Sequence, residues 1–224
     1  MNDAQTLKVI ARIKSDFPTK FGIPRQSGLA PALKARIVFE KEFRSAEALA
    51  GLEKFSHIWL IWGFSEAVKE TWSPTVRPPR LGGNRKVGVF ATRSPFRPNS
   101  LGLSAVRVEK IENGEIFVSG ADLMDGTPIY DIKPYLPAVD SIVSATDLFD
   151  KIAEKEPLEI VISDEFIGSI PSEKLASLKE ILSLDPRPAY QNDPSRIYGF
   201  SFAGLEIKFK VDGNILTVVS VEKV

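Results

Sequence analysis

The chain has 224 residues, 43% hydrophobic and 26% charged, with 29 basic and 29 acidic side chains and so no formal net charge. That composition suits a globular protein of one large domain or two small ones and argues against a general nucleic-acid coat. With no cysteine and one histidine, it excludes disulfides, thiolate catalysis and cysteine-held zinc or iron–sulfur centres. No apolar run approaches the ~20 residues of a membrane helix. The start of the chain lacks the basic-then-apolar layout of a secretory signal, and a reducing cytosol fits best.

The first two-thirds read mostly as strands. Leu7 to Ile13 and Ile37 to Phe43 alternate apolar and polar residues, as half-buried strands do. Ser45 is a good N-cap for a short helix to about Leu52, with Glu47 in its first turn. Phe55 to Phe64 is apolar on both faces, the pattern of a buried strand. Trp72 to Arg85 holds Pro74, Pro78, Pro79, Gly82 and Gly83, which predicts an irregular loop, and Ser94 to Asn99 reads the same way. Lys86 to Thr92 and Leu101 to Ile111 are expected strands, and Asn113-Gly114 is a hairpin signal leading into Ile116 to Val118.

A shift toward Asp, Lys, Ala and Glu near Asp147 to Leu158 suggests a junction, giving domains 1–150 and 151–224. Beyond it come a strand over Leu158 to Ile162 and a helix capped by Ser172 with Leu175, Leu178 and Leu182 on one face. After the irregular Asp185-to-Tyr190 segment, strands follow over Ile197 to Phe202, Leu205 to Val211 and Ile215 to Val221. The second domain is thus a small α+β unit.

Charge is unevenly distributed. Between Glu70 and Glu109 there is no acid, but there are seven basic residues: Arg77, Arg80, Arg85, Lys86, Arg93, Arg97 and Arg107. From Glu109 to Glu165 the balance reverses, with fourteen acids and four lysines. Such asymmetry focuses a local positive field suited to RNA, although pairing with the later acids across the fold would also account for it.

There is no G-x-G-x-x-G, no P-loop and no H-E-x-x-H. His57 shares a strand face with Phe55 and Trp59 and reads as a core or supporting histidine. Asp122, Asp125 and Asp131 lack the imidazole company of a catalytic metal site, so no metal is expected. Three loops carry distinctive chemistry. Pro24-Arg25-Gln26 puts a guanidinium and an amide on a rigid turn. Ala91 to Gly102 alternates arginine with proline around Phe96, a preorganised loop suited to carboxylates, phosphates and stacked bases. Asp122-Leu-Met-Asp-Gly-Thr-Pro128 is an acidic turn that could bind ribose hydroxyls, an ammonium or a cation, or simply cap its own backbone.

Together with Phe55-Ser-His-Ile-Trp59, Arg77-Pro-Pro-Arg-Leu-Gly-Gly83, Asp131-to-Pro137 and Asp185-to-Tyr190, these motifs resemble the TrmO (YaeB, TsaA-like) family in order and over nearly the whole chain. The resemblance implies a mainly β fold, an N-terminal antiparallel β-barrel in place of the Rossmann methyltransferase fold, followed by the small α+β domain. It implies an S-adenosylmethionine-dependent methyltransferase acting on N6 of N6-threonylcarbamoyladenosine beside the tRNA anticodon, homodimeric and cytoplasmic. The cofactor residues it implies are Pro24, Arg25, Gln26, Ser65, Glu66, Arg93, Leu103, Asp122, Leu123, Met124 and Asp125; some relatives have His-Gln where this chain has Ser65-Glu66. Arg77, Arg80, Arg97 and Arg187 are candidates for the phosphates or the threonyl carboxylate of the anticodon loop, and no residue is singled out as catalytic. A non-catalytic RNA-binding barrel and a small-molecule enzyme acting on an acidic metabolite are the alternative readings.

Overall fold

A computed structural model describes residues 5–66, 71–78, 85–146, 156–188 and 191–224. Arg80, the Leu81–Gly83 part of its motif, most of the expected junction after Asp147, and Ala189-Tyr190 lie outside these residues. Six strands close an antiparallel barrel: β1 (Ala11–Lys14), β2 (Lys34–Phe39), β3 (His57–Gly63), β6 (Leu101–Glu112), β7 (Glu115–Ser119) and β8 (Pro128–Pro134), in the order β1-β2-β7-β6-β3-β8. Alternation along each strand sends one set of side chains inward. Ile13, Ile37, Ile58, Leu60, Ile116 and Ile129 are all buried there. Each contributes about 1.5–3 kcal/mol by leaving water, which holds the barrel closed.

The alternation of β3 corrects one expectation. Ile58, Leu60 and Trp62 point into the barrel, whereas His57, Trp59 and Ile61 lie half-buried on its outer face. His57 is therefore not a core residue; its Nδ1 meets the Ser56 hydroxyl at 3.0 Å and its ring packs edge-on against Tyr135. The first two strands are shorter than their patterns suggest, with Lys41–Phe43 forming a 3-10 turn. Ser45 caps the short helix α1 (Ala46–Leu49) by accepting from the Glu47 N–H. The Asn113-Gly114 turn forms as expected, both residues with positive φ.

The proline-rich loop contains a little regular structure after all: β4 (Thr75–Val76) pairs with β5 (Val87–Gly88) as a two-stranded ribbon. The expected strand beyond Lys86 stops there because the chain turns into a 3-10 segment at Val89–Ala91. Leu136 leads into a short helix, α2 (Pro137–Asp140).

In the C-terminal part, β10 (Tyr198–Phe202), β11 (Leu205–Asp212) and β12 (Ile215–Lys223) form an antiparallel meander, and β9 (Glu159–Val161) joins its edge parallel to β12. A short helix α3 (Asp164–Ile167) precedes α4 (Ser172–Ser183), which buries Leu178, Ile181 and Leu182 against the sheet. Pro171, not Ser172, occupies the N-cap position of α4, so no side chain caps it.

The two parts are interlocked by the segment between β1 and β2. Phe17, Ala30 and Leu33 belong to the same apolar cluster as α4 and the C-terminal sheet. Lys174 of α4 pairs with Asp16 at 2.6 Å, the Ala32 N–H donates to Glu180 at 2.8 Å, and the Ala203 N–H donates to the Asp16 carbonyl. Gly22 lies so close to the Phe200 ring that a Cβ there would sit 2.3 Å from it. The same segment is stapled to the barrel: the Asp125 N–H donates to the Phe17 carbonyl and the Gly28 N–H to that of Gly120, each at 2.8 Å.

Candidate active site

One mouth of the barrel gathers residues from four distant stretches of sequence. Trp62, near the end of β3, turns its indole inward and donates from Nε1 to the Ser104 hydroxyl at 2.9 Å. Ser104 in turn donates to Asp122 Oδ1 at 2.6 Å. The indole fits only because its cross-strand neighbour is Gly102, where a Cβ would lie 2.2 Å from the ring. Asp122 thereby becomes a half-buried carboxylate at the end of a hydrogen-bonded relay.

Burial pushes the Asp122 carboxyl above the usual carboxylate range. The Ser104 hydroxyl, its own N–H, Arg93 and the Ser27 N–H all favour the ionised form but only partly offset the desolvation. These partners bring the Pro24–Ser27 turn, the Ala91–Gly102 loop and the Asp122 turn to one place. Arg93 closes the arrangement from above by donating to the Gln26 side-chain oxygen, while Gln26 Nε2 donates to the Arg25 carbonyl at 2.6 Å. Pro24 is buried beneath, and Arg25 reaches across to the Arg187 carbonyl at 3.4 Å.

Of the residues expected at a cofactor, Pro24, Arg25, Gln26, Arg93 and Asp122 converge in this way. Leu103, one position from Ser104, faces the opposite side of the strand and is 58% exposed on the outer barrel surface. Ser65 and Glu66 are exposed just beyond β3, at the same mouth. The remaining residues of the acidic turn point elsewhere. Leu123 is buried in the barrel core, and Asp125 accepts from the Ser15 N–H at 3.0 Å and from Lys14 at 3.3 Å. Met124 is half-buried between them. Any ligand contact from Leu123 would use the backbone, and the Asp125 carboxylate works mainly as a turn anchor.

The substrate-side arginines divide similarly. Arg77 is exposed. Arg97 spends its guanidinium on the Thr92 and Val89 carbonyls, at 2.6 and 3.1 Å, so it shapes its own loop. The direct phosphate contact expected of Arg187 does not fit its surroundings. That residue is 8% exposed and grips Asp185 with a two-pronged ion pair at 2.7 and 3.0 Å. Among the described residues the basic stretch pairs only in part with the later acids, through Arg107 and the attraction of Arg93 for Asp122. Among the described residues Arg107 bonds with Glu109, whereas Arg77, Arg85 and Lys86 make no ion pair.

Ser104 and Trp62 were not singled out from sequence. Their signal is a serine at an inward position between the apolar Leu103, Ala105 and Val106, since a buried hydroxyl requires a polar partner. At the mouth, opposite charges stand close together: a half-buried carboxylate, a guanidinium over it and a second one beside the rigid turn. That arrangement matches an amino-acid head group bearing both ammonium and carboxylate, and the exposed Arg77, Arg85 and Lys86 beside the β4–β5 ribbon suit a polyanion.

Residues 12–141 match the family model of the tRNA-methyltransferase O N-terminal domain, and residues 156–224 match that of the TrmO C-terminal domain. A tRNA (adenine(37)-N6)-methyltransferase from Eikenella corrodens is 44% identical over 171 residues, 75% of this chain and 97% of its own. An S-adenosyl-L-methionine-binding protein from Archaeoglobus fulgidus is 35% identical over 136 residues, 61% of this chain and 93% of its own. The crystal structure of TrmO from Pseudomonas aeruginosa superposes with a TM-score of 0.82 at 32% identity, covering 100% of this chain and 99% of that one. The chain belongs to the TrmO family.

Proposed function

We propose that this protein is a tRNA methyltransferase that uses S-adenosylmethionine to methylate N6 of adenosine 37, the nucleoside beside the anticodon, in its threonylcarbamoylated form. The observation that carries the reading is the convergence of Gln26, Arg93 and Asp122 at one mouth of the barrel. The names of the relatives supply the chemistry to which that geometry is matched.

The donor set fits such a cofactor. Arg25 and Arg93 would take its carboxylate, and Asp122 its ammonium or ribose hydroxyls. Pro24, Ser65, Glu66 and the backbone of Leu123 to Asp125 would line the rest; Leu103, on the outer face of the same strand, would reach a cofactor only from a partner's side of the proposed dimer. When bound, the cofactor supplies a methyl group on a sulfonium, an excellent leaving group. The residues around it therefore have to bind, align and exclude water, and alignment alone lowers such a barrier substantially. Burial pushes the Asp122 carboxyl up from its ordinary range, and the Ser104 hydroxyl aims it. Arg77 and Arg80 would meet the anticodon-loop phosphates. Arg97 and Arg187 would contribute by holding the loops that present the site.

We further propose a homodimer, supported by the exposed apolar side chains of Leu101, Leu103, Val139, Ile142 and Val143 on the barrel part. Its site of action would be the cytoplasm, where its substrate is found. No helix among the described residues is long and apolar enough to cross a membrane.

The deciding experiment is nucleoside mass spectrometry after incubation with threonylcarbamoylated tRNA and S-adenosylmethionine. A product one methyl heavier is expected, and its absence would overturn the assignment. Calorimetry with S-adenosylmethionine alone separates this reading from an RNA-binding barrel without catalysis, which would show no heat of binding. Sedimentation analysis tests the dimer.

A further inference from the structure

Two large aromatic side chains stand in water beside the proposed site, and neither takes part in the arrangement at the barrel mouth. Phe90 is 71% exposed and Trp72 50% exposed, with ring centroids 6.0 Å apart. Their placement is built, not incidental. The β4–β5 ribbon continues through a hydrogen bond from the Val89 N–H to the Pro74 carbonyl at 2.9 Å, which brings the two flanking residues together. Val89 is buried beneath and anchors the turn. The Val89 carbonyl accepts from the Thr92 hydroxyl at 2.8 Å and from Arg97 at 3.1 Å, so the turn that displays Phe90 is braced from three directions. Arg97 also lies 5.7 Å from the Phe90 ring centroid, leaving one guanidinium against the ring while the rest of it stays open.

The surroundings select the occupant. Arg77, Arg85 and Lys86, on the two arms of the same ribbon, are exposed and without an ion pair among the described residues. There is no acid from Thr71 to Val108. An exposed aromatic pair within a field of unpaired cations is the combination that binds unpaired nucleotides, stacking for the base and charge for the phosphates. A second copy of this chain is a poor match, because a two-fold contact centred here would set these cations against themselves. Distance favours a place next to the reaction. Phe90 is three residues from Arg93, so their Cα atoms are at most about 11 Å apart.

We propose that Phe90 and Trp72 form a stacking platform for an unpaired RNA base flanking the nucleoside that is methylated, with Arg77, Arg85 and Lys86 on the neighbouring phosphates. This rests on the tRNA-methyltransferase reading and adds to it the surface that receives the loop.

The test uses an anticodon stem-loop RNA carrying the fluorescent base 2-aminopurine at one or other position flanking the modified adenosine. Binding to the wild-type protein is expected to quench the probe at one of the two positions. Phe90→Ala should abolish the quench and weaken RNA binding about tenfold or more, while Phe90→Trp retains both. Trp72→Ala, as a second variant, should reduce the quench in the same direction. S-adenosylmethionine affinity, measured by calorimetry, should be unchanged in all three. No quench with the wild type overturns the platform, as does a Phe90→Ala protein that quenches and binds normally. Loss of dimer in Phe90→Ala with RNA affinity intact would make this surface a subunit contact and overturn it too. Failure of the methyltransferase reading appears separately, as the absence of methylated nucleoside with the wild-type protein.

Discussion

The two walls of the site are held in opposite ways. The turn with Pro24, Arg25 and Gln26 belongs to a segment whose Phe17, Ala30 and Leu33 are core residues of the C-terminal part, clamped by Lys174 and Glu180 of α4. The described residues of the facing wall, 72–78 and 85–97, bury little beyond Val89 and are braced mainly by the Val89 and Thr92 carbonyls. One wall is positioned by the free energy of folding, the other by local hydrogen bonds on the surface. Residues of the first kind should couple stability to cofactor binding, and residues of the second should affect cofactor or substrate with no cost to the fold.

The largest effect is expected at the anchored wall. Phe17→Ala removes a fully buried ring and should lower the unfolding free energy by about 3–5 kcal/mol, read from denaturant titration. Cofactor affinity should fall with it, because the Pro24 turn loses its seat; an unchanged affinity would break the link between that wall and the core. Arg93→Ala comes next. It should leave the melting temperature unchanged, since the side chain is exposed, yet reduce kcat/KM on the order of a hundredfold by removing a charged partner of the site.

Asp122 offers a pH test between the walls. Its folded-state pKa is raised above the ordinary value of 3.8, so the native state binds this proton more tightly than the unfolded chain does. Native stability therefore falls, through this group, as pH rises from about 4 through the raised pKa. Asp122→Asn lacks that dependence, and the wild type should lose ground to it steadily across the window in thermal melts at stepped pH. Parallel curves would show that the carboxyl is not perturbed by burial. The smallest effect belongs to the open rim. Lys86→Ala should shift stability by less than about 0.5 kcal/mol and weaken tRNA binding a few-fold, with the salt dependence of binding shallower by about one counterion.

Some of this was legible from sequence for definite reasons. β6 and β7 could be read because their alternation is long and Asn113-Gly114 supplies the positive φ values that a tight hairpin requires. The barrel-closing strand β8 was not read as a strand. Its prolines, Pro128 and Pro134, look like breakers, and they are tolerated because they pair at the very ends of its ladders, opposite Arg12 and Ile58. Arg25, Arg93 and Asp122 stand out as candidates through residue type together with the resemblance to TrmO, but the Ser104–Trp62 relay beneath Asp122 does not, because its members meet only when the barrel closes. Arg187 illustrates the converse. A cation in a proline-rich loop looks available for phosphate, and Asp185, two residues away, claims it instead.

The interlock between the β1–β2 segment and the C-terminal sheet also has a consequence for how the molecule is made. The cluster that shelters Phe17, Ala30 and Leu33 includes residues as far along the chain as Val218. At roughly 5–20 residues per second, about 10–40 s of synthesis separate the two. The turn carrying Pro24, Arg25 and Gln26 is therefore translated well before the residues that seat it. A nascent protein thus carries a finished barrel before it carries a finished binding site.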